Sequence, residues 1–558
     1  MKIFKKLLIV TGVTAIVASS CVKSFDGLLD NPNSPLPSDG DPDLYVNTLQ
    51  LAFPNYYDAL QSTGAELTRI GVFFGPNYQN GYGPSGFNGI WSTAYTSIVK
   101  NADALLAVSA QRRLSYHAGM AYIFKAYTMM TMVDLFGDVP YSEANKGNSN
   151  TNPKLDPGAS VYTAADIMLD SAIANLSRTP ALLVANDLYY GQESNATNGI
   201  ARRTRWITLA RTLKLRIALN MRLTNAAAAT TTINNLLTLN DFIDTDAEDF
   251  TFRYSTRLDN PNSRHPRYND GYRATGGAGG YIGTYYLHAV ANEKAFADPR
   301  RAFYFYRQGV PPGTQAQQPC AYNAKPGHYS ASDPYCYTGS WWGRDHGDNS
   351  GISPDGLLRT VWGVYPAGGK FDDASITAVG LNEGGRGAGI HPIWMSWFTD
   401  FSLMEAGIAL PGVNLTATQE RALFIGAINK SMNRVLNFGP TIGVTIPAAN
   451  LTLAQTRQAT YLTNMGTQWD ATTTDAQKLD LGLKEYYLSL FGNGAEAYNM
   501  YRRTSRPRNL QPTLVNGAGT FIRSMFYPAD FANLNTNGTQ KANMAVKVFW
   551  DTNPDPLF

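Results

Sequence analysis

The sequence predicts a mainly α protein: a helical-repeat scaffold that carries a large loop-rich region. Three observations lead there. Apolar residues recur at helical spacing from Leu44 to about residue 250 and again beyond residue 391. Between residues 251 and 390 the texture changes to crowded Gly, Tyr, Pro and Asn. Ahead of both lies a short basic and apolar leader that ends in a lone cysteine, Cys21.

The leader opens with Lys2, Lys5 and Lys6, followed by a largely apolar run from Leu7 to Val17. Crossing a bilayer core takes about 20 residues, so this run reads as the core of an export signal over residues 1–20. Ala18, Ser19 and Ser20 then precede Cys21, a sequence similar to a bacterial lipobox. Cleavage before the cysteine and acylation of its thiol and amine is the expectation, and several acyl chains would hold the protein durably at a membrane. Ordinary cleavage that leaves Cys21 as a free thiol is the alternative. Residues 21–42 form a tether with four prolines after the cysteine, about 70 Å long if fully extended. Asp39, Asp41 and Asp43 imitate the start of a calcium loop, but Leu44 and Gln50 stand where that loop needs Gly and Glu. Asp43 is expected to cap the helix that follows.

The rest, residues 43–558, divides into a helical part (43–250), a loop-rich insertion (251–390) and a helical C-terminal part (391–558). Trp91, Tyr95, Ile98, Ala102 and Leu105 alternate spacings of four and three and form one apolar stripe. Tyr122, Met129, Met132 and Phe136 belong to a second helix, apolar on most sides and so buried, which Gly137 and Pro140 end. Ala164–Leu176 is a third, and Trp206, Leu209, Leu213, Ile217 and Met221 mark a fourth. Helical patterning returns near Trp394, at Gln419–Val435 and at Ala476–Leu490. In "AEAYNMYRRTSRP", Glu496 with Arg502 and Arg503 reads as a buried ionic network that holds a helix end.

Composition removes several functions. Without residues 1–20 the chain loses three lysines and no acid, which leaves it formally neutral against 43 Asp and Glu. A nucleic-acid partner calls for a marked basic excess. No phosphate-binding Gly-x-x-x-x-Gly-Lys loop, no Gly-x-Ser-x-Gly elbow and no His-Glu-x-x-His pair occurs. Most enzyme classes thus lose their usual sequence support, and no cofactor or metal is expected. Aromatic residues reach 12 %, with 32 Tyr and 9 Trp, and such rings present a flat apolar face with a polar edge.

Two loop clusters stand out as ligand-binding candidates. Trp341, Trp342, Arg344 and Asp345 lie in "SWWGRDHGDNSG". Adjacent indoles cannot share one side of an extended chain, so one would face solvent or a cleft. Tyr78, Tyr82 and Phe87 sit among glycines in "GVFFGPNYQNGYGPSGFNGIW". In an oxidising compartment Cys320 and Cys336 could form a disulfide closing a loop of about 16 residues, worth on the order of 3 kcal/mol.

Six stretches carry a resemblance: "WSTAYTSIVKNADALL" (91–106), "KAYTMMTMVDLFGDVPYSEA" (125–144), "RWITLARTLKLRIALNMR" (205–222), "ADPR" (297–300), "GNGAEAYNMYRRTSRP" (492–507) and "RSMFYPADFANLN" (523–535). Together with the lipobox they resemble the SusD/RagB family of nutrient-binding outer-membrane lipoproteins of Bacteroidota. The resemblance implies tetratricopeptide-like helix pairs, a loop-rich ligand face and no catalytic activity. It implies a lid, anchored by acyl groups such as palmitate and exposed at the cell surface, over a SusC-like TonB-dependent transporter in the outer membrane. The ligand would be an oligosaccharide, or a peptide as in the RagB branch. A surface glycoside hydrolase using carboxylates such as Asp345 and Asp348 is the enzymatic alternative. The matching motifs are scaffold motifs: Phe136, Gly137, Asp138, Pro140 and Tyr141 shape a turn on the family's pattern, and no ligand-contact motif transfers. The stretch after the cysteine, Val22 to Asp26, departs from the acidic surface-export signal common in the family.

Overall fold

The computed structural model describes residues 40–274, 280–309, 323–335, 341–348, 359–555 and 557. Cys21, Cys320 and Cys336, and with them the lipidation and disulfide expectations, lie outside the described residues.

The first helix, α1 (Pro42–Leu67), is capped by Asp41, whose carboxylate accepts the Asp43 N–H at 2.9 Å. This corrects the expected cap. Pro42 brings a fixed φ and no N–H to the first helical position, so the helix starts before Asp43. Asp43 instead accepts from the buried His117 at 3.1 Å. One face of α1 buries Val46, Leu49, Phe53, Tyr57 and Leu60 in the main core.

The stripe headed by Trp91 is helical through a π-wound stretch, Thr93–Val99, into α2 (Lys100–Arg112). After a two-residue turn comes α3 (Ser115–Phe136), buried over nearly its whole length as its unbroken apolar pattern requires. α4 (Gly158–Leu176) packs along α3, and α5 (Ala196–Met221) along α4. α6 (Ala226–Leu239) completes this half. Each helix thus lies against the next in sequence, the arrangement of a helical-repeat scaffold.

The loop-rich part contributes two small antiparallel ribbons. Strand β1 (Phe250–Arg253) pairs with β4 (Ile390–Trp394), while β2 (Phe305–Tyr306) pairs with β3 (Val361–Trp362). Short helices α7 (Pro266–Gly271) and α8 (Thr284–Ala291) lie between β1 and β2. The C-terminal part supplies α9 (Ser396–Ala409), α10 (Ala417–Leu436), α11 (Ala448–Asp470), α12 (Asp475–Ser489) and α13 (Gly494–Thr504). No described helix is long and apolar enough to cross a membrane.

α13 locks the two helical parts together. It crosses α1 so closely that a Cβ on Gly494 would lie 2.0 Å from the Ala65 amide nitrogen, so only glycine fits. From α13, Glu496 reaches Arg216 on α5 at 2.7 Å, and Arg216 reaches Asp134 on α3 at 2.7 Å. Arg503 makes a bidentate pair with Glu405 on α9 at 2.7 and 2.8 Å, and Arg222 joins that carboxylate at 3.1 Å. The expected grouping of Glu496 with Arg502 and Arg503 is corrected: Glu496 pairs with Arg216, Arg503 pairs with Glu405, and Arg502 donates instead to the Arg523 carbonyl at 2.6 Å and to Asn499 at 2.7 Å. Such pairs hold elements in a fixed register because a lone charge left behind costs several kcal/mol.

Candidate ligand-binding site

One cleft opens where the end of α1 meets the loop-rich part. The last turns of α1 supply Gln61, Ser62 and Glu66; Phe74 follows on the next segment; α7 supplies Arg267 and Asp270. Tyr281, Thr360 and Trp362 form the remaining wall around ≈ 100 Å³.

Backbone pairing builds this wall. Gly71 pairs with Ile282, and Gly283 pairs with Arg344, so three distant segments lie side by side. A Cβ on Gly283 would come within 2.2 Å of the Arg69 carbonyl oxygen, so the clasp needs glycine there. The β2–β3 ribbon fixes Trp362, whose ring stacks on Phe491 at 4.1 Å. Phe74 and Tyr281 meet at 5.7 Å, and Phe74 stays 47 % exposed.

The polar side is equally ordered. Arg267 donates to the Ser62 hydroxyl, lies 3.8 Å from Asp58 and 3.6 Å from Asp270, and stands 6.0 Å from the Trp362 ring. Glu66 accepts from the Tyr82 hydroxyl at 2.9 Å. Burial pushes the Glu66 carboxyl up to about 7, against the opposing pull of Tyr82 and Arg267. Half-exposed rings beside fixed donors and acceptors can stack on a flat apolar face while satisfying a ring of hydroxyls.

The two predicted clusters do converge beside this cleft, but their side chains turn inward. Tyr78 bonds His346 at 2.9 Å, which ties one cluster to the other. Tyr82 stacks on Phe73 at 5.0 Å behind Glu66, and Phe87 packs edge-on against Phe136 at 5.9 Å. Trp341 and Trp342 are 4 % and 7 % exposed and neither lines the cleft, which corrects the expectation that one indole faces solvent or a cleft. The Arg307 guanidinium stands over Trp341 at 4.9 Å, while the Trp342 N–H donates to the Thr360 hydroxyl at 2.8 Å and the Trp342 carbonyl accepts the Thr360 N–H at 3.1 Å. Arg344 lies beneath the cleft, 4.8 Å from the Tyr281 ring and 5.7 Å from Phe74. Asp345 is buried and accepts from Gln511 at 2.6 Å. Of the seven, Tyr82, Trp342 and Arg344 touch cleft residues in the contacts above, and none of the seven lines the cleft itself.

Sequence reasoning missed Glu66, Phe74, Arg267, Asp270, Tyr281 and Trp362. A signal was available in "GVFFG": of two adjacent rings, Phe73 is 3 % and Phe74 47 % exposed, as alternation along an extended segment dictates. Among the described residues no group of His, Cys, Asp and Glu side chains could hold a metal ion.

Comparison with known proteins agrees with this architecture. A family described as starch-binding associating with outer membrane, SusD-like, matches residues 68–349, half of the chain. A SusD/RagB family protein from Bacteroides thetaiotaomicron is similar at 17 % identity and a TM-score of 0.64, covering 92 % of this chain and 98 % of its own. A chitin-binding SusD homolog from Flavobacterium johnsoniae matches at 18 % identity and a TM-score of 0.60, with 91 % and 100 % covered. A SusD homolog from Bacteroides uniformis matches at 18 % identity and 0.61, with 91 % and 99 % covered. No curated protein matches the sequence. With its helical scaffold, loop-rich face and matching sequence, the chain belongs to the SusD-like family.

Proposed function

We propose that this protein is a cell-surface lipoprotein of the outer membrane that binds an oligosaccharide and passes it, as a lid, to a SusC-like TonB-dependent transporter. It performs no chemistry on the ligand. The observation that carries the reading is the cleft itself: Phe74, Tyr281 and Trp362 present rings beside Glu66, Arg267 and Asp270. The ligand would stack on the rings and place hydroxyls against the polar side, with Tyr82 and Arg344 positioning the wall from behind. The cleft encloses too little space for a whole oligomer, so the chain would lie across it with one residue seated. Membership of a family described as starch-binding supports the ligand class, and so does the chitin-binding relative. Acyl groups on Cys21 would moor the lid, and a Cys320–Cys336 disulfide would brace the loop-rich part.

Capture followed by release needs modest affinity; a micromolar Kd corresponds to about −8 kcal/mol, within reach of a few stacked rings and hydrogen bonds. The test is isothermal titration calorimetry with maltohexaose, chitohexaose and other neutral oligosaccharides, alongside a peptide library and an assay for new reducing ends. Saturable glycan binding without new ends is expected. Sustained hydrolysis, or binding confined to peptides, would overturn the reading.

A further inference from the structure

Three charged side chains line the aromatic cleft: Glu66, Arg267 and Asp270. Two of them are held by opposite charges. Arg267 lies 3.8 Å from Asp58 and 3.6 Å from Asp270, and Asp270 also has Arg273 at 3.9 Å. Glu66 forms no ion pair with any described residue. The Tyr82 hydroxyl donates to its Oε2 at 2.9 Å. The other oxygen, Oε1, has no partner among the described residues, and it is not sealed in. Glu66 is half-buried, and Oε1 stays open to solvent.

The walls beside this carboxyl are largely apolar, with Ala65, Val72, Phe74 and Val361 lining the same cleft. A sugar residue seated on Phe74, Tyr281 and Trp362 displaces the water that reaches Oε1. An ionised carboxylate would then keep one hydrogen bond and no cation, which disfavours the charge. The neutral acid fits the covered site better. Its O–H at Oε1 donates to a ligand oxygen while Oε2 still accepts from Tyr82.

Building on the oligosaccharide reading of this cleft, we propose that Glu66 is its specificity-determining contact and grips the seated sugar as a neutral acid, so that binding takes up a proton from solvent at Oε1. The matching ligand group is an uncharged oxygen acceptor: a ring, glycosidic or hydroxyl oxygen of a neutral sugar.

The surroundings leave this step to Glu66 near neutral pH. Burial lifts its carboxyl to about 7 before any ligand arrives, against Tyr82 and Arg267. On α1, burial would raise Asp58, yet Arg267, His391 and His265 hold it below the usual carboxylate range. Burial raises the Tyr82 hydroxyl well above its ordinary value, with Tyr78 and Arg69 also acting on it. His265, His346 and His391 are all depressed by burial, His391 to about 4, and so stay neutral at pH 6 and above. On the opposite wall Arg344 and Arg359 stand 4.8 and 3.9 Å from the Tyr281 ring. Guanidinium groups keep their charge at these pH values.

The experiment uses the full chain carrying Cys21→Ala. Maltohexaose, chitohexaose and the other neutral oligosaccharides of the panel are titrated by calorimetry at pH 6, 7 and 8. At pH 7.5 the titration is repeated in HEPES and in Tris, and the difference in heat counts the protons taken up. Affinity should fall about tenfold from pH 6 to pH 8, with uptake of about 0.7 proton at pH 7.5. Glu66→Gln should abolish both the fall and the uptake. Tyr82→Phe removes a donor that favours the ionised form, so it should move the fall to higher pH. Oligosaccharide binding without proton uptake, or a fall that survives in Glu66→Gln, overturns the role of Glu66 and leaves the oligosaccharide reading standing. Absence of binding by every neutral oligosaccharide at all three pH values overturns both.

Discussion

Replacing Phe74 with alanine tests the cleft most directly, because this ring belongs to the surface and not to the core. An aromatic side chain presents about 200 Å², of which 47 % remains open on Phe74, or about 90 Å². A sugar face that covers half of that area gains about 1 kcal/mol at 25 cal/mol per Å², and full cover gains about 2 kcal/mol. Phe74→Ala should therefore weaken oligosaccharide binding about fivefold to thirtyfold. Calorimetry against the best ligand of the panel measures this, with thermal unfolding as the control. The melting temperature should move by no more than about 2 °C, since exposed apolar sites contribute little to stability. A wild-type affinity in the variant, with the ligand still binding elsewhere on the protein, would refute the argument that the exposed rings form the platform.

Three further outcomes are expected. Arg216→Met leaves Asp134 and Glu496 buried without their shared cation, so chemical denaturation at pH 7 should show a loss of about 3–5 kcal/mol; the triple variant with Asp134→Asn and Glu496→Gln should recover much of it, and a loss below about 1 kcal/mol in the single variant would contradict the network. Glu66 has its folded pKa raised from 4.5 to about 7, so its contribution to stability is complete below pH 4.5 and disappears as the pH rises through about 7. Glu66→Gln should remove that decline, seen as a smaller difference in melting temperature between pH 5 and pH 8; an unchanged difference would show that the carboxyl titrates normally. Cys21→Ala should move the protein from the membrane fraction to the soluble fraction of the expressing cell, and unchanged partitioning would contradict the acyl anchor.

Much of the scaffold was legible in the sequence. The stripe from Trp91 to Leu105 and the all-round apolar pattern of α3 both specify helices, because each buries its faces against neighbours at helical period. α6 and α11 were missed. α11 is a polar, threonine-rich helix whose buried residues are few, among them Tyr461, Met465 and Trp469, so its apolar stripe is too sparse to read. The two conspicuous clusters, one around Tyr78 and one around Trp341, meet at one place through Tyr78 and His346. The direction of each side chain was not legible. Trp341 is covered by Arg307 and Phe305, residues well upstream in sequence, and nothing local to "SWWG" announces them.

The sequence by itself determined the helices and the conspicuous aromatic loops, since these follow from apolar periodicity and from the local preferences of glycine and proline. It also carried the family motifs, most of which lie on scaffold helices. Only the tertiary structure decided which rings reach solvent. Phe74, Tyr281 and Trp362 stand at the surface because Gly71, Gly283 and Arg344 clasp three distant segments while the β2–β3 ribbon fixes the wall. Burial is a property of neighbours brought together across the chain, and a local pattern cannot specify those neighbours.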